Sequence, residues 1–182
     1  MKRTLSTVAI LAGLLTNLTA LDFIDGKFYG GVGMGVEDFS RYSSYDPGLT
    51  VVFNGGKPIL ELGPGTIGAE GEFTYTVMPL THSYYRSEWE LSIMTFGAYA
   101  TYTFDHSDKL YTRAKLGIVH RNYSWDYDGR SGGYNYDYNE AGVGIGLGAG
   151  YKFSDKFRVY SDLISLDSAD LKQLNFGLQM NF

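Results

Sequence analysis

The chain has 182 residues, no cysteine, 24 Gly, 16 Tyr and 44% hydrophobic residues. That length suits one domain with a sizeable core, and the lack of cysteine excludes a disulfide framework and a thiolate metal site. A formal net charge of −5 argues against a nucleic-acid partner, and beyond the N-terminus no stretch offers the roughly 18 to 20 apolar residues of a spanning helix.

Lys2 and Arg3 form a positive start, Leu5 to Leu15 is apolar, and Thr19-Ala20 ends in small residues. This pattern predicts a secretory signal peptide over 1–20, leaving a single mature domain over 21–182 that works outside the cytoplasm. No Cys follows the apolar stretch, so lipoprotein processing is excluded.

The mature chain reads as strands separated by turn-rich segments. The first predicted strand, Lys27 to Glu37, places Phe28, Gly30, Val32, Met34 and Val36 on one face and Tyr29, Gly31, Gly33 and Gly35 on the other. Arg41 to Gly48 is a polar loop. The second strand, Leu49 to Leu62, changes phase around Asn54-Gly55-Gly56, which predicts a bulge there. Gly63-Pro64-Gly65 is a tight turn. In the third strand, Thr66 to Met78, Ala69, Gly71, Phe73, Tyr75 and Val77 alternate with Glu70, Glu72, Thr74 and Thr76. Pro79 to Ser87 is the next loop. The fourth strand, Glu88 to Phe104, aligns Met94, Phe96, Ala98, Ala100, Tyr102 and Phe104, whereas Trp89, Leu91 and Ile93 fall out of phase. Asp105 to Asp108 is a turn.

The fifth strand, Lys109 to Arg121, sets Leu110, Thr112, Ala114, Leu116 and Ile118 against Tyr111, Arg113, Lys115 and Gly117. A long loop, Asn122 to Asn139, follows. The sixth, Glu140 to Phe153, sets Ala141, Val143, Ile145, Leu147, Ala149, Tyr151 and Phe153 against a row of glycines. Ser154-Asp155 is a turn, Lys156 to Leu166 the seventh strand, and Asp167 to Asp170 the last loop. The eighth strand ends the chain: Leu174, Phe176, Leu178, Met180 and Phe182 alternate with Asn175, Gly177, Gln179 and Asn181.

Short turns and longer loops alternate, as in an up-and-down antiparallel barrel with both termini on the short-turn side. Strands of ten or more residues with period-two alternation fit tilted membrane crossings of about 9 to 11 residues. Hydrocarbon also demands closure, because an open edge would leave backbone groups unsatisfied. Phe28, Tyr102, Phe104, Tyr151, Phe153 and Phe182 fall at the short-turn side as an aromatic girdle. The predicted fold is all-β: an eight-stranded antiparallel up-and-down transmembrane β-barrel.

The mature chain resembles the small eight-stranded outer-membrane barrels of the opacity-protein and OmpX type, a porin-like family of Gram-negative bacteria. The resemblance rests on Phe28-Tyr29-Gly30-Gly31-Val32-Gly33, on Gly71-Glu72-Phe73-Thr74-Tyr75, and on Asn175-x-Gly177-x-x-Met180-x-Phe182. The last is similar to the signal such proteins present to the barrel-assembly machinery. The resemblance implies an outer-membrane location, contact with outer-membrane lipid and lipopolysaccharide, and a monomer.

Residue chemistry narrows the function. Gly31-x-Gly33-x-Gly35 and the alternating glycines from Gly142 to Gly150 are followed by no helix pattern, so a dinucleotide loop is not supported. Instead, inner-face glycines make room for bulky side chains in a barrel too narrow for a pore. Glu70, Glu72, Arg113, Lys115, Glu140, Lys152, Arg158 and Asp162 point inward, and buried charges must be paired or wet. These residues are expected to form a network across the third, fifth, sixth and seventh strands, a structural plug in preference to a gated ion path.

His82, His106 and His120 lack metal-ligand spacing. A lipid-modifying enzyme would need His, Ser and a carboxylate on one lipid-facing patch. His82-Ser83 and His106-Ser107 are adjacent in sequence, so a strand would point them to opposite faces. No enzyme activity and no cofactor are expected. The segment Asn122 to Asn139 carries Tyr123, Trp125, Tyr127, Tyr134, Tyr136 and Tyr138 with Gly and Ser, a composition suited to binding a host or surface ligand. Asp126, Asp128 and Asp137 match no calcium-loop spacing. The expected role is a non-enzymatic outer-membrane scaffold presenting surface loops; a small porin-like channel is the alternative, and a lipid-modifying enzyme the second.

Overall fold

The computed structural model describes residues 27–39, 45–84, 87–128, 133–166 and 171–182. The proposed signal peptide, the Asp167 to Asp170 loop and residues 41–44 of the Arg41 to Gly48 loop lie outside these residues. Nine strands follow one another: β1 Tyr29–Phe39, β2 Gly48–Leu62, β3 Gly65–Met78, β4 Leu80–Tyr84, β5 Ser87–Asp105, β6 Leu110–Asp128, β7 Tyr134–Lys152, β8 Phe157–Leu166 and β9 Leu171–Asn181. β3 and β4 both pair with β5 and form one interrupted stave. The barrel therefore has eight staves. All neighbours are antiparallel, and β1 closes on β9 from Tyr29↔Asn181 to Phe39↔Leu171. Closure leaves no edge to hydrocarbon. No helix of the described residues is long and apolar enough to cross a membrane.

Period-two alternation decides the two surfaces. Val32, Met34, Phe53, Leu116, Ile118, Val143, Ile145, Leu147, Leu163 and Phe176 are exposed on the outer wall. Their chain neighbours point into the barrel, where Thr74, Glu70, Arg113, Lys115, Asp162, Asn175 and Gln179 are buried. A polar interior inside an apolar wall is the inverse of a soluble barrel and matches one solvated by lipid. Phe53, Phe73 and Phe96 are direct cross-strand partners and stack at 6.3 and 4.9 Å. From Phe104 to Met94 the apolar wall of β5 spans roughly 33 Å along the strand, or about 25 Å along the normal at a tilt of about 40°. That is the height of a barrel's lipid-facing band.

The inner glycines are sites of close approach. A Cβ on Gly150 would collide with the Tyr111 ring, and one on Gly177 would fall 2.6 Å from the Tyr160 ring. The inward tyrosines thus lie flat over neighbouring staves and occupy part of the lumen.

Three expectations are corrected. β2 has no bulge at Asn54–Gly56: the β1 pairing runs unbroken there, and the register shifts lie at Leu49/Thr50 and Pro58/Leu60. Pro58 lacks an N–H, so the ladder slips beside it. Pro79 to Ser87 is not simply a loop, because β4 lies within it. Between Tyr75↔Met94 and Leu80↔Leu91 the β3–β4 stave bulges around Pro79, and the Thr76 hydroxyl accepts the Ile93 N–H at 2.9 Å where the main-chain ladder lapses. Finally, Asn122 to Asn139 is largely strand. β6 and β7 pair continuously up to Tyr127↔Tyr134 and project above the band as a ribbon.

Candidate functional site

Five buried charges meet at mid-barrel. Arg113, from β6, forms ion pairs with Asp162 of β8 and with Glu70 of β3 at 3.1 Å. Two residues along the same face, Lys115 bonds Glu70, Glu72 (3.1 Å) and Asp162 (2.7 Å). The Tyr29 hydroxyl donates to Glu70 Oε2 at 2.6 Å. The Arg113 guanidinium also lies over the Tyr160 ring at 4.5 Å, and the Tyr160 hydroxyl accepts from Asn54 Nδ2 at 2.7 Å. Oxygens of Glu70, Glu72 and Asp162 lie within 4.8 Å of one another, a spacing that suits a metal ion. The Lys115 ammonium touches all three carboxylates and supplies the positive charge a metal would bring.

The other inward charges of the sequence lie apart from this cluster. Lys152 pairs with Asp105 at 2.7 Å near the short-turn mouth. Arg158 donates to Gln179 Oε1 at 2.7 Å and stacks on Tyr29 at 4.3 Å. Glu140 sits 3.6 Å from Arg121, at the far end of the band. Arg121 and Glu37 are buried charges that the sequence reading does not single out. Arg121 closes the predicted fifth strand, two steps of two beyond Gly117 on its inward face. Glu37 is the last residue of the first predicted strand and follows Gly35 on its inward face. Extending the alternation to the strand ends is the signal that finds both.

Above the charge cluster the lumen turns apolar. Leu80, Leu91, Ile93, Val119, Tyr123, Ile164, Leu166 and Leu171 pack into one cluster, with Tyr45 and Trp125 against it. This explains the out-of-phase start of the fourth predicted strand. The β5 alternation never breaks: Leu91, Ile93, Thr95 and Tyr99 all face inward. What changes is the chemistry of the interior. A polar floor carries an apolar lid at the long-loop end.

Rising from the lid, the inner face of the β5–β6–β7 ribbon forms three registered rows, the lower two rooted in lid residues. The rows are Ile93–Tyr123–Tyr138, Leu91–Trp125–Tyr136 and Trp89–Tyr127–Tyr134. Tyr123 and Tyr138 rings lie 6.1 Å apart, Trp89 and Tyr127 4.5 Å, and Tyr127 and Tyr134 5.1 Å. Tyr123 is buried and Trp125 packs on the lid, whereas Tyr134, Tyr136 and Tyr138 are about half exposed. Trp89, Trp125, Tyr134, Tyr136 and Tyr138 line an open cleft of about 360 Å³. The ribbon's opposite face carries Glu88, Glu90, Asp126, Asp128 and Asp137.

The histidines are scattered. His82 lies on the inner side against Tyr45, at 5.2 Å, and Ser83 points the other way. His106 bonds Thr112 Oγ1 at 3.0 Å in a turn. His120 faces outward, with Phe96 and Ala141 as its cross-strand partners. At the C-terminus Asn175 is buried, Gly177 lies under Tyr160, and Met180 and Phe182 face outward. The Phe182 N–H donates to the Phe28 carbonyl at 2.8 Å across the closing seam.

The comparisons agree with this architecture. The sequence matches the family described as outer membrane protein beta-barrel domain over residues 6–182. No curated protein sequence matches the chain. The fold is similar to that of Ail, the attachment invasion locus protein of Yersinia pestis, solved in complex with the heparin analogue sucrose octasulfate. The TM-score is 0.57 at 12% identity, covering 87% of this chain and 100% of that one. It is also similar to Neisserial surface protein A (TM-score 0.56, 11% identity, 86% of this chain and 97% of that one). A major outer membrane protein from Thermus thermophilus aligns with TM-score 0.60 at 11% identity, over 85% of this chain and 99% of that one. With a closed eight-stave barrel, a lipid-type outer wall and a family match spanning nearly its whole length, the chain belongs to the outer-membrane β-barrel family and is a membrane-anchored barrel of the outer membrane.

Proposed function

We propose that the protein is a non-enzymatic surface-interaction barrel, in which the bilayer part is a sealed anchor and the β5–β6–β7 ribbon does the binding. One observation carries this reading. Three aromatic-rich rows stand in register on the ribbon, over a lumen that holds a buried charge cluster and an apolar cluster. Aromatic rings supply large contact area with little loss of rotamer freedom, and Tyr adds a hydroxyl at each contact. The acidic opposite face selects the partner's charge. Ail was solved with a highly sulfated sugar, but Glu88, Glu90, Asp126, Asp128 and Asp137 would repel such a ligand here. A neutral glycan or a basic protein surface fits instead.

The test is a glycan and protein array probed with the refolded barrel and with a Y134S/Y136S/Y138S variant. Binding confined to neutral or basic probes and lost in the variant is the expected outcome. An unchanged profile in the variant would contradict the reading.

The porin-like alternative requires passage through both the Arg113–Lys115 cluster and the Leu80–Leu91 lid, and the sealed anchor is preferred for that reason. The C-terminal Asn175, Gly177, Met180 and Phe182 are proposed as the recognition signal for the assembly machinery. Deleting Phe182 should reduce the outer-membrane fraction of the protein in cells. Unchanged insertion would remove that role. The signal peptide over 1–20 is part of the same proposal, and its test is the N-terminal sequence of the exported protein.

A further inference from the structure

A second group of buried polar side chains lies apart from the charge cluster, on the staves formed by β9, β1, β2 and β3. Inward alternation places Gln173 and Asn175 of β9, Gly35 and Glu37 of β1, Thr50 of β2 and Thr76 of β3 side by side. Glu37 pairs with Gln173, Gly35 with both Asn175 and Thr50, and Thr50 with Thr76. The five side chains of this group are at most 4% exposed. The apolar lid reaches the same place: a Cβ on Gly48, the other cross-strand partner of Glu37, would fall 2.8 Å from Leu80 Cδ1.

The group has more acceptors than donors. The Thr76 hydroxyl lies 3.0 Å from Glu37 Oε2 and 2.9 Å from the Ile93 carbonyl, so one hydrogen serves two oxygens. Glu37 Oε1 has no hydrogen-bond partner among the described residues. Gln173 Nε2 donates to Thr50 Oγ1 at 3.3 Å, which leaves Gln173 Oε1 without a donor, and Asn175 Oδ1 also lacks one. A Cβ on Gly35 would collide with Asn175 Oδ1 and lie 2.8 Å from Thr50 Oγ1, so both oxygens project over that glycine. The buried positive groups of the lumen are engaged elsewhere. Arg113 and Lys115 hold Glu70, Glu72 and Asp162, and Arg121 faces Glu140 and the Leu166 carbonyl. A buried carboxylate without a positive partner is strongly unfavourable. In the mid-barrel cluster the Lys115 ammonium supplies that charge; beside Glu37 no described side chain does.

We infer that Glu37, Gln173, Asn175 and Thr50 form a binding site for a monovalent alkali cation, captured as the barrel closes. Carboxylate, amide and hydroxyl oxygens are the ligands that hard cations take. One carboxylate among neutral oxygens balances a single positive charge, whereas a divalent ion would leave a buried excess. A proton on Glu37 would serve one neighbouring acceptor, whereas a cation is coordinated by all of them. The site stands independently of the binding function proposed for the ribbon.

The experiment is equilibrium urea unfolding of the refolded barrel in phosphatidylcholine vesicles, at fixed pH and ionic strength, with choline chloride replaced stepwise by sodium or potassium chloride. Choline screens charge equally but is too bulky for the site, so a difference reports the ion itself. A saturable gain in stability is expected. At ten times its dissociation constant the ion raises the folding equilibrium constant about tenfold, and the salt that acts at the lower concentration identifies it. E37Q keeps the shape and removes the charge; it should be at least as stable as the unmodified chain in choline and show no cation dependence. Q173M keeps the charge, removes one ligand oxygen and should move saturation to a several-fold higher concentration. Equal unfolding of the unmodified chain in choline, sodium and potassium would overturn the inference and leave Glu37 matched by a proton or by the Gln173 amide nitrogen. A cation dependence that survives in E37Q would overturn it as well.

Discussion

Replacing Lys115 with Met should destabilise the refolded barrel by about 3–5 kcal/mol, the loss expected when one partner of a buried ionic cluster is removed. The side chain is 1% exposed and its ammonium contacts Glu70, Glu72 and Asp162. Met matches its length, so the loss is electrostatic and not one of volume. Three carboxylates would then share Arg113 and the Tyr29 hydroxyl. Urea unfolding in lipid vesicles measures the effect. Adding E72Q to K115M removes one of the orphaned charges and should recover part of the loss, which a cavity effect would not. A loss below about 1 kcal/mol would mean that lumen water screens the cluster as it screens a surface pair.

The second large effect concerns the outer wall. Val143 lies on β7 among Ile145, Leu147 and Ile118, all at least half exposed around the middle of the band. Val143→Arg should cost about 2–4 kcal/mol at that depth, and Asn139→Arg, on the same face but at the rim, about 0–1 kcal/mol. The difference between the two positions matters more than either value, because only a surrounding bilayer makes the cost depend on depth. Equal costs at the two sites would remove the lipid-facing assignment of this wall.

Most of the barrel is legible from alternation alone. Strand period, glycine rows and inward charges act within one stave, and a residue's face follows from counting by two. Lys115, Glu70, Glu72, Arg113 and Asp162 can be placed inside in this way. Which of the inward charges meet cannot, because that depends on the stagger between staves. Lys152 and Arg158 share the inward face but sit together at the short-turn mouth, and Glu140 sits at the far end of the band.

The apolar lid is hidden for a related reason. Leu91 and Ile93 face inward, like the polar residues below them, and apolar residues on an inward face look like a change of phase. Likewise, the aromatic segment from Asn122 to Asn139 has the Tyr, Asp and Gly composition of a loop, yet its tyrosines recur at every second position. That spacing is the available sign of strand, and pairing with β5 and β7 supplies the hydrogen bonds that composition alone does not suggest. On β2 the glycines suggest a bulge, whereas the slip occurs beside Pro58, whose missing donor is the stronger reason for a ladder to break.

The central claim is that the barrel is an anchor sealed twice, by the Arg113–Lys115 cluster and by the lid over it. Single-channel recording of the refolded chain over residues 21–182 in a planar bilayer, with insertion verified by protease protection, tests it most directly. The account predicts a silent bilayer for the unmodified protein. Steady openings, altered when Arg113 and Lys115 are changed to Ala, would contradict it and make the buried charges the lining of a conducting path.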